Sequence, residues 1–319
     1  MSTMAIEAAK AGAFLQRRSD WGRVRVTGAD RAQFLHNMTT QEIKGLLPGQ
    51  GAPAAVINQR ANILDHIEVH ADAEAYYVVT SPGRTADVLA WWDRYLITED
   101  VQLTDVTAAT GLWYVSGARA REVVGVEIAP FGLAEIEIAG HAVRLLGTHG
   151  LFGEGFHLWV DRAGEEAVGE ALLARGATVI DDATFEALRI EWGLPLTGSE
   201  LTEQRNPWEA RLDGSISLHK GCYLGQEIVA RLNTYDKVQR YLVGLALQGE
   251  APAVGTKLLA EGQEVGHVTA VAGAIALGFV KAAQAAPGTK LMAGETPVEV
   301  ADRPFWAGKT RAVSAPSRA

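Results

Sequence analysis

From about residue 239 the chain consists of short β-like runs separated by glycine-rich turns. Closely spaced short strands with turn residues between them are typical of a small antiparallel barrel. The full length of 319 residues predicts two or three domains, so further domains precede this one. We predict a C-terminal β-barrel over 239–301, followed by a polar tail over 302–319 without fixed structure. The runs are YLVGLAL, TKLLA, EVGHVTAV, AIALGFV, KLMAG and PVEV.

Residues 1–235 instead mix strand and helix patterns. Alternating apolar and polar residues predict strands, whereas apolar residues spaced three and four apart predict helices. Asp182 or Thr184 would cap the last of these helices, and Gly193 with Pro195 would end it. The pattern predicts two mixed α/β lobes with boundaries near 48–53 and 105–118. With two boundaries, one lobe can be built from segments that are not adjacent in sequence. The predicted strands are 22–28, 54–58, 62–71, 75–81, 112–115, 134–138, 142–146 and 156–160, and the predicted helices follow residue 28, cover 88–96 and 165–176, and lie within 181–198.

Composition excludes several classes of function. The net charge of −9 provides no overall positive field for nucleic acid or anionic lipid. No apolar run reaches the length of a membrane span, and the N-terminus lacks the pattern of a secretory signal. A single cysteine, Cys222, cannot form an internal disulfide. We therefore predict a cytoplasmic protein without nucleic-acid or membrane partners.

The sequence also lacks the usual short motifs of cofactor and metal sites. It contains no dinucleotide-binding glycine pattern, no phosphate-binding loop and no zinc-protease motif. His66 and His70 share one face of a predicted strand but would lie roughly 13 Å apart, too far to share a metal. We interpret both as solvent-facing side chains and predict no metal site.

Asp65 stands out because of its place in the strand ILDHIEVHA. Alternation puts this carboxylate on the aliphatic face, which is the face expected to be buried. Burial of an unpaired carboxylate is unfavourable, so Asp65 must be paired, hydrogen-bonded or next to a cavity. A structural salt bridge and a catalytic role both remain open at this point. The residues on its face are Ile63, Ile67 and Val69.

Glu191 stands out because it lies near the C-terminal end of a predicted helix. The helix dipole disfavours negative charge there. This position therefore indicates either a specific hydrogen-bond donor for the carboxylate or an ordinary exposed helix end.

The segment HKGCYLGQEIVARL places the only cysteine among polar and glycine residues. Gly221 and Gly225 allow the backbone to bend or to approach another group closely. Lys220 next to Cys222 offers a way to increase the thiolate fraction, and Arg231 is suited to a bidentate contact with a carboxylate. The alternative is a surface turn with an unreactive cysteine.

KGCYLGQEIVAR resembles the pattern K-G-C-[FY]-x-G-Q-E-x-x-x-R of the YgfZ family of folate-binding proteins, which are relatives of the glycine-cleavage T-protein (aminomethyltransferase). Three further segments are similar to this superfamily: VTGADRAQFLHNMTTQEIKGLLPGQ, NQRANILDHIEV and ALRIEWGLPLTGSEL. One departure is Ala61, which replaces a glycine common in the family. The matching signature residues are Lys220, Gly221, Cys222, Tyr223, Gly225, Gln226, Glu227 and Arg231.

The resemblance implies an α+β, T-protein-like cloverleaf of three domains around a central folate pocket, with 1–235 as the folate-binding module. It implies that Glu191 holds the pterin edge and that Asp65 lies near the reactive folate nitrogens, as a positioning group or a general base. It places Arg231, Tyr223 and Gln226 near tetrahydrofolate or a derivative. Asp65 and Cys222 are the implied catalytic residues.

Three functions follow from the resemblance. The first is a tetrahydrofolate-binding accessory protein for iron–sulfur cluster assembly or repair, with iron–sulfur client proteins as partners and Cys222 as the distinctive residue. The second is an aminomethyltransferase-type enzyme that transfers a one-carbon unit to tetrahydrofolate. The third is a non-catalytic scaffold with a vestigial pocket.

Overall fold

The computed structural model describes residues 3–301. The predicted unstructured tail, 302–319, lies outside the described residues. Among residues 3–301, none of the helices combines the length and apolar character that crossing a lipid bilayer requires.

Up to about residue 234 the chain contains both helices and strands. After that point the regular elements longer than one turn are strands. The helices are α1 (Thr3–Ala11), α2 (Arg31–Met38), α3 (Thr85–Asp93), α4 (Ala120–Val124), α5 (Glu165–Ala174), α6 (Asp182–Trp192) and α7 (Gln226–Thr234). The strands are β1 (Ala13–Arg17), β2 (Gly22–Thr27), β3 (Gly51–Ile57), β4 (Ile63–Ala71), β5 (Tyr76–Thr80), β6 (Gln102–Asp105), β7 (Thr110–Gly117), β8 (Leu133–Ile138), β9 (His141–Thr148), β10 (Glu154–Asp161), β11 (Ala177–Val179), β12 (Arg240–Leu247), β13 (Lys257–Ala260), β14 (Gln263–Ala272), β15 (Ile275–Lys281), β16 (Lys290–Ala293) and β17 (Thr296–Ala301).

Two open sheets form the first part of the fold. One has the strand order β3-β4-β5-β2-β6 and buries its outer face under α2 and α3. The other has the order β11-β1-β7-β10-β9-β8 and packs against α4 and α5. The inner faces of the two sheets meet through Tyr77 of β5 and Trp159 of β10, whose ring centroids are 5.4 Å apart. Strand β4 is therefore covered on both faces, and the polar side chains on its inner face lie between the two sheets rather than in solvent.

The strands β12–β17 close into a six-stranded antiparallel barrel. A further core joins the barrel to α6, α7 and the six-stranded sheet, through residues such as Phe14, Phe185 and Phe279. The predicted fold class is confirmed by this architecture and by the comparisons below. The lobe boundaries stay predictions.

Several details differ from the sequence analysis, which did not predict α1, β6, α4, β11 or α7. The first strand, β1, was not predicted, because its five residues AFLQR have no alternation and are nearly all buried. The start of α6 was assigned to Asp182 or Thr184, but the cap is Asp181, whose carboxylate accepts a hydrogen bond from the Thr184 N–H at 2.8 Å. Gly193 ends the helix in the left-handed region, as predicted.

Candidate functional site

Asp65 lies on β4 with no exposed surface. Its carboxylate has no cationic partner among residues 3–301 but accepts three hydrogen bonds. Oδ1 accepts from the His66 N–H at 2.9 Å and from the Thr197 hydroxyl at 3.0 Å, and Oδ2 accepts from the Ser81 N–H at 3.1 Å. The turn before β4 is tight, and Ala61 there has a φ of 61°, in the left-handed region that favours glycine.

Burial raises the pKa of Asp65 to about 6, although the hydrogen bonds from Ser81, Thr197 and His66 oppose the shift. This carboxyl group therefore changes its protonation state near neutral pH. A group of this kind suits proton transfer or the recognition of a protonated partner.

Ser81 and Thr197 connect Asp65 to a narrow cleft. Their hydroxyl oxygens are 2.8 Å apart, and Thr197 in turn donates to Asp65. The cleft has a cavity volume of about 40 Å³, which corresponds to a few water-sized groups. It is lined by Arg18, Trp21, His66, Glu68, Val79, Ser81, Thr148, His149, Leu194, Pro195, Leu196, Thr197 and Leu201.

A buried ion pair holds the loop that forms one wall of the cleft. Arg189 of α6 donates from Nη1 to the Leu194 carbonyl and to Glu200 Oε2, both at 3.0 Å. Glu200 also accepts from the Leu196 N–H at 3.1 Å. Both charged side chains are almost fully buried. Because these bonds fix residues 194–200, they also position the Thr197 hydroxyl.

The opposite wall carries polar residues that the sequence analysis interpreted wrongly. His70 is fully buried and His66 is half-buried, so neither is a solvent-facing side chain. The reason is that the six-stranded sheet covers the second face of β4. Glu68, between them, accepts from the Thr148 hydroxyl and lies 3.2 Å from His157 Nδ1.

Burial and hydrogen bonding set the charges of this wall. Burial alone would raise the pKa of Glu68, but the neighbouring imidazoles of His157 and His70 hold it well below its ordinary value. Burial lowers the pKa values of His66 and His157 to about 4 each. At neutral pH the wall therefore combines an ionised Glu68 with neutral imidazoles at His66 and His157. Within residues 3–301, no three His, Cys, Asp or Glu side chains are placed to hold a metal ion.

Glu191 does not line this cleft. It is about one-third exposed and accepts a hydrogen bond from Lys10 Nζ of α1 at 2.6 Å, so the structure supplies the donor that its position indicated. The Phe152 and Trp192 rings lie beside it, with centroids 4.8 Å apart. Glu191 is close to the cleft in sequence, because residues 194–197, which follow the end of α6, line the cleft.

The signature segment docks on the C-terminal end of α2. Lys220 Nζ donates to the carbonyl oxygens of His36, Thr39 and Gln41, the latter two at 2.7 Å. A lysine ammonium group has three N–H donors, and all three are used on the main chain. Burial lowers the pKa of Lys220 to about 7, although the charge of Glu42 opposes the shift. These contacts give no support to the hypothesis that Lys220 activates the cysteine.

Several signature residues have structural explanations. Gly225 has a φ of 81°, and a Cβ atom there would lie 2.7 Å from the Asn58 carbonyl oxygen. The Gln226 side chain accepts from the Tyr223 N–H at 3.0 Å at the start of α7. Burial raises the pKa of Tyr223 to about 12. Gly221, by contrast, has no close neighbour and no positive φ.

Cys222, Glu227 and Arg231 are exposed. Two surface hollows of about 420 and 450 Å³ lie on either side of Cys222. The structure therefore separates three parts of the predicted site: the buried Asp65, the partly exposed Glu191 and the signature segment around the exposed Cys222. The sequence analysis did not identify Arg18 and Glu68 as residues of the cleft. For Glu68 one signal was available, because it is a charged residue on the face of β4 opposite Asp65.

Comparisons with known proteins agree with this architecture. The family model described as the GCVT N-terminal domain matches residues 5–220, and the model described as the CAF17 C-terminal beta-barrel domain matches residues 240–309. A crystal structure of the glycine cleavage system aminomethyltransferase T from Bartonella henselae shares the fold, with a TM-score of 0.84 and 23% identity over 95% of this chain and 88% of that one. The three sheets thus define a protein of the T-protein structural class.

Sequence relatives narrow this class. A chloroplastic protein of Arabidopsis thaliana, provisionally named a transferase, is 32% identical over 305 residues, or 91% of this chain and 70% of the relative. The aminomethyltransferase of Herpetosiphon aurantiacus is 29% identical over 273 residues, or 82% of this chain and 75% of the relative. The chain belongs to the GCVT family and carries a CAF17-type barrel, which confirms the resemblance stated above.

Proposed function

We propose that this protein binds tetrahydrofolate or a derivative and acts as an accessory protein in iron–sulfur cluster assembly or repair. The observation that carries the folate part is Asp65, a fully buried carboxyl group with a pKa of about 6 behind the hydroxyls that line the cleft. Membership of the GCVT family supports a folate ligand, because relatives with this domain are named aminomethyltransferases.

The residues near Glu191 fit the pterin end of such a ligand. A pterin presents an N–H and an amino group side by side, and a carboxylate accepts from both. Glu191 is partly exposed, and the Phe152 and Trp192 rings next to it offer apolar surface for a flat ring system. The cleft near Asp65 is too small for that ring system, so the ring would lie outside the cleft, at its entrance beside Ser81 and Thr197.

In this arrangement Asp65 holds or releases a proton through its own oxygen or through the Thr197 hydroxyl. Folate, when bound, supplies nitrogen atoms that carry one-carbon units. Its binding would leave Ser81 and Thr197 between the ligand and the carboxyl group, and would exclude water from them.

A titration with tetrahydrofolate tests the folate part. We expect saturable binding and a higher melting temperature, because a ligand that binds only the native state stabilises it. Glu191→Gln should weaken binding about tenfold or more, since it replaces one acceptor of a bidentate contact. Glu7→Gln is the matched control, because Glu7 also pairs with Lys10 but is largely exposed. No binding by the unmodified protein would favour the scaffold hypothesis.

The exposed Cys222 supports the accessory role. A thiol at the surface, between two hollows, is accessible to a partner protein. Cys222→Ala should abolish the ability of the protein to restore iron–sulfur enzyme activity in cells that lack it, while tetrahydrofolate binding persists. Tyr235→Ala is the control, because this exposed side chain follows the same segment. Full rescue by the Cys222→Ala variant would contradict this role.

The second candidate is an aminomethyltransferase-type enzyme, which the retained acid at position 65 favours. Turnover with an aminomethyl-lipoyl carrier protein and tetrahydrofolate, lost in Asp65→Asn and kept in Cys222→Ala, would support it. The absence of turnover in the unmodified protein would remove it. The cytoplasmic location and the lack of nucleic-acid and membrane partners remain predictions.

A further inference from the structure

Arg18 presents an unusual state for a buried cation. Its side chain is 3% exposed and lies between aromatic rings, with the guanidinium carbon 4.0 Å from the Trp21 ring centroid and 3.7 Å from that of Tyr114. A guanidinium group has five N–H donors. Among the described residues only one of them has an acceptor, His157 Nε2 at 2.6 Å from Nη1. Arg18 also lines the cleft.

Such a group needs acceptors that the protein does not provide. Within residues 3–301, Arg18 forms no ion pair with a carboxylate, and its Nε is buried without a partner. Stacking on aromatic rings offsets part of the loss of hydration but satisfies no N–H donor. Because Nη1 donates to His157 and Nε is enclosed, Nη2 is the nitrogen left to donate to a ligand, and a carboxylate is a strong acceptor for it.

The same cleft also carries a negative charge. Because Arg18 can only donate, His157 must accept at Nε2 and carry its proton on Nδ1, which faces Glu68 at 3.2 Å. Glu68, which lines the cleft too, is held in place by this imidazole and by the Thr148 hydroxyl. One side of the cleft is therefore cationic and another is anionic.

We propose that the cleft binds a small α-amino acid, with its carboxylate on Arg18 and its ammonium group on Glu68. A cavity of about 40 Å³ admits a ligand of a few heavy atoms, the size of glycine. A simple anion such as acetate would leave Glu68 facing a second carboxylate. A simple amine would leave the donors of Arg18 unsatisfied. This site does not depend on folate binding.

Calorimetric titration of the full chain tests the proposal with three probes: glycine, acetate and methylamine. We expect glycine to bind at least about tenfold more tightly than either half-probe. Arg18→Lys keeps the charge but loses the planar fork, and Glu68→Gln removes the negative charge. Each substitution should weaken glycine binding about tenfold and leave tetrahydrofolate binding unchanged. Arg17→Lys is the control, since Arg17 is half-exposed and pairs with Glu165 outside the cleft.

Three results would overturn the proposal. Equal binding of acetate and glycine would reduce the site to one for simple anions. Failure of glycine to bind the unmodified protein would remove the site, whatever the variants show. Competition between glycine and tetrahydrofolate would assign Arg18 to the carboxylates of the folate itself. The comparison among probes uses the unmodified chain, so it stands even where a variant fails to fold.

Discussion

The surroundings of Asp65 and the signature segment around Cys222 differ in almost every physical respect. Asp65 is fully buried, accepts three hydrogen bonds and lies behind a cleft of about 40 Å³. Cys222 is exposed between hollows about ten times larger. The first region is organised for a few atoms of a small ligand, whereas the second is open to a macromolecule.

The proposed functions assign a different kind of recognition to each of these regions. Both regions contain polar residues with shifted pKa values, but only those near Asp65 border a narrow cleft. In the signature segment, Lys220 and Gln226 make bonds to the main chain, which shape the loop that presents Cys222. Substitutions near the cleft should therefore lower the free energy of unfolding strongly. Those near Cys222 should do so only where the backbone has a positive φ or a close neighbour, as at Gly225.

The largest effect is expected from Glu200→Ala. This change leaves the buried Arg189 without its buried partner and frees the loop that carries Thr197. We expect a loss of about 3–5 kcal/mol in the free energy of unfolding, measured by chemical denaturation. The control Glu186→Ala removes the other partner of Arg189, which is 42% exposed, and should cost less than about 1 kcal/mol. Equal costs would show that burial does not decide the strength of these pairs.

A pH-dependent effect is expected from Asp65. Its pKa in the folded protein, about 6, is above its ordinary value of 3.8, so its contribution to stability is fully present below about pH 4 and is lost as the pH rises through 6. The loss amounts to at most about 3 kcal/mol. Asn at position 65 does not titrate, so the Asp65→Asn variant does not lose this contribution. Its free energy of unfolding, minus that of the unmodified protein, should therefore increase by this amount from acidic to slightly alkaline pH. A difference that stays constant with pH would contradict a raised pKa.

A smaller effect is expected from Gly225→Ala in the signature segment. The positive φ and the close approach to Asn58 and Ile57 should cost about 2 kcal/mol. Gly221→Ala, whose nearest neighbour is His36 Nε2 at 3.8 Å, should change stability by less than about 0.5 kcal/mol. Thermal and chemical denaturation of both variants would measure the difference. Similar costs would mean that Gly221 has a backbone role that its geometry does not reveal.

The smallest effect is expected from Cys222→Ala. Because the side chain is exposed, the free energy of unfolding should change by less than about 0.5 kcal/mol. Denaturation curves that overlap those of the unmodified protein would allow any loss of activity in cells to be assigned to the thiol. A large destabilisation would indicate that the thiol is part of the core.

The sequence predicted the fold class and the burial of Asp65, because alternation in β4 places that residue on the aliphatic face. It did not predict the polar wall of Glu68, His70 and His157. Alternation assumes that the second face of a strand meets solvent, but here it meets another sheet. Donors that come from distant segments, such as Lys10 for Glu191 and Arg18 for His157, also escape a reading of local patterns. Arg189 and Glu200 belong to a segment that the sequence analysis recognised only by its similarity to the family. Their ion pair was not predicted and is seen in the structure.

Strand β1 lies inside the six-stranded sheet, between β7 and β11, and it pairs in parallel with β11, Ala13 opposite Ala177. During synthesis on the ribosome, this early segment must therefore wait for more than half of the chain before both of its edges are covered. Closing so long a loop slows folding, and the unpaired strand exposes apolar side chains in the meantime. The nascent chain therefore carries an unprotected apolar strand during this interval, before the residues of the barrel are synthesised.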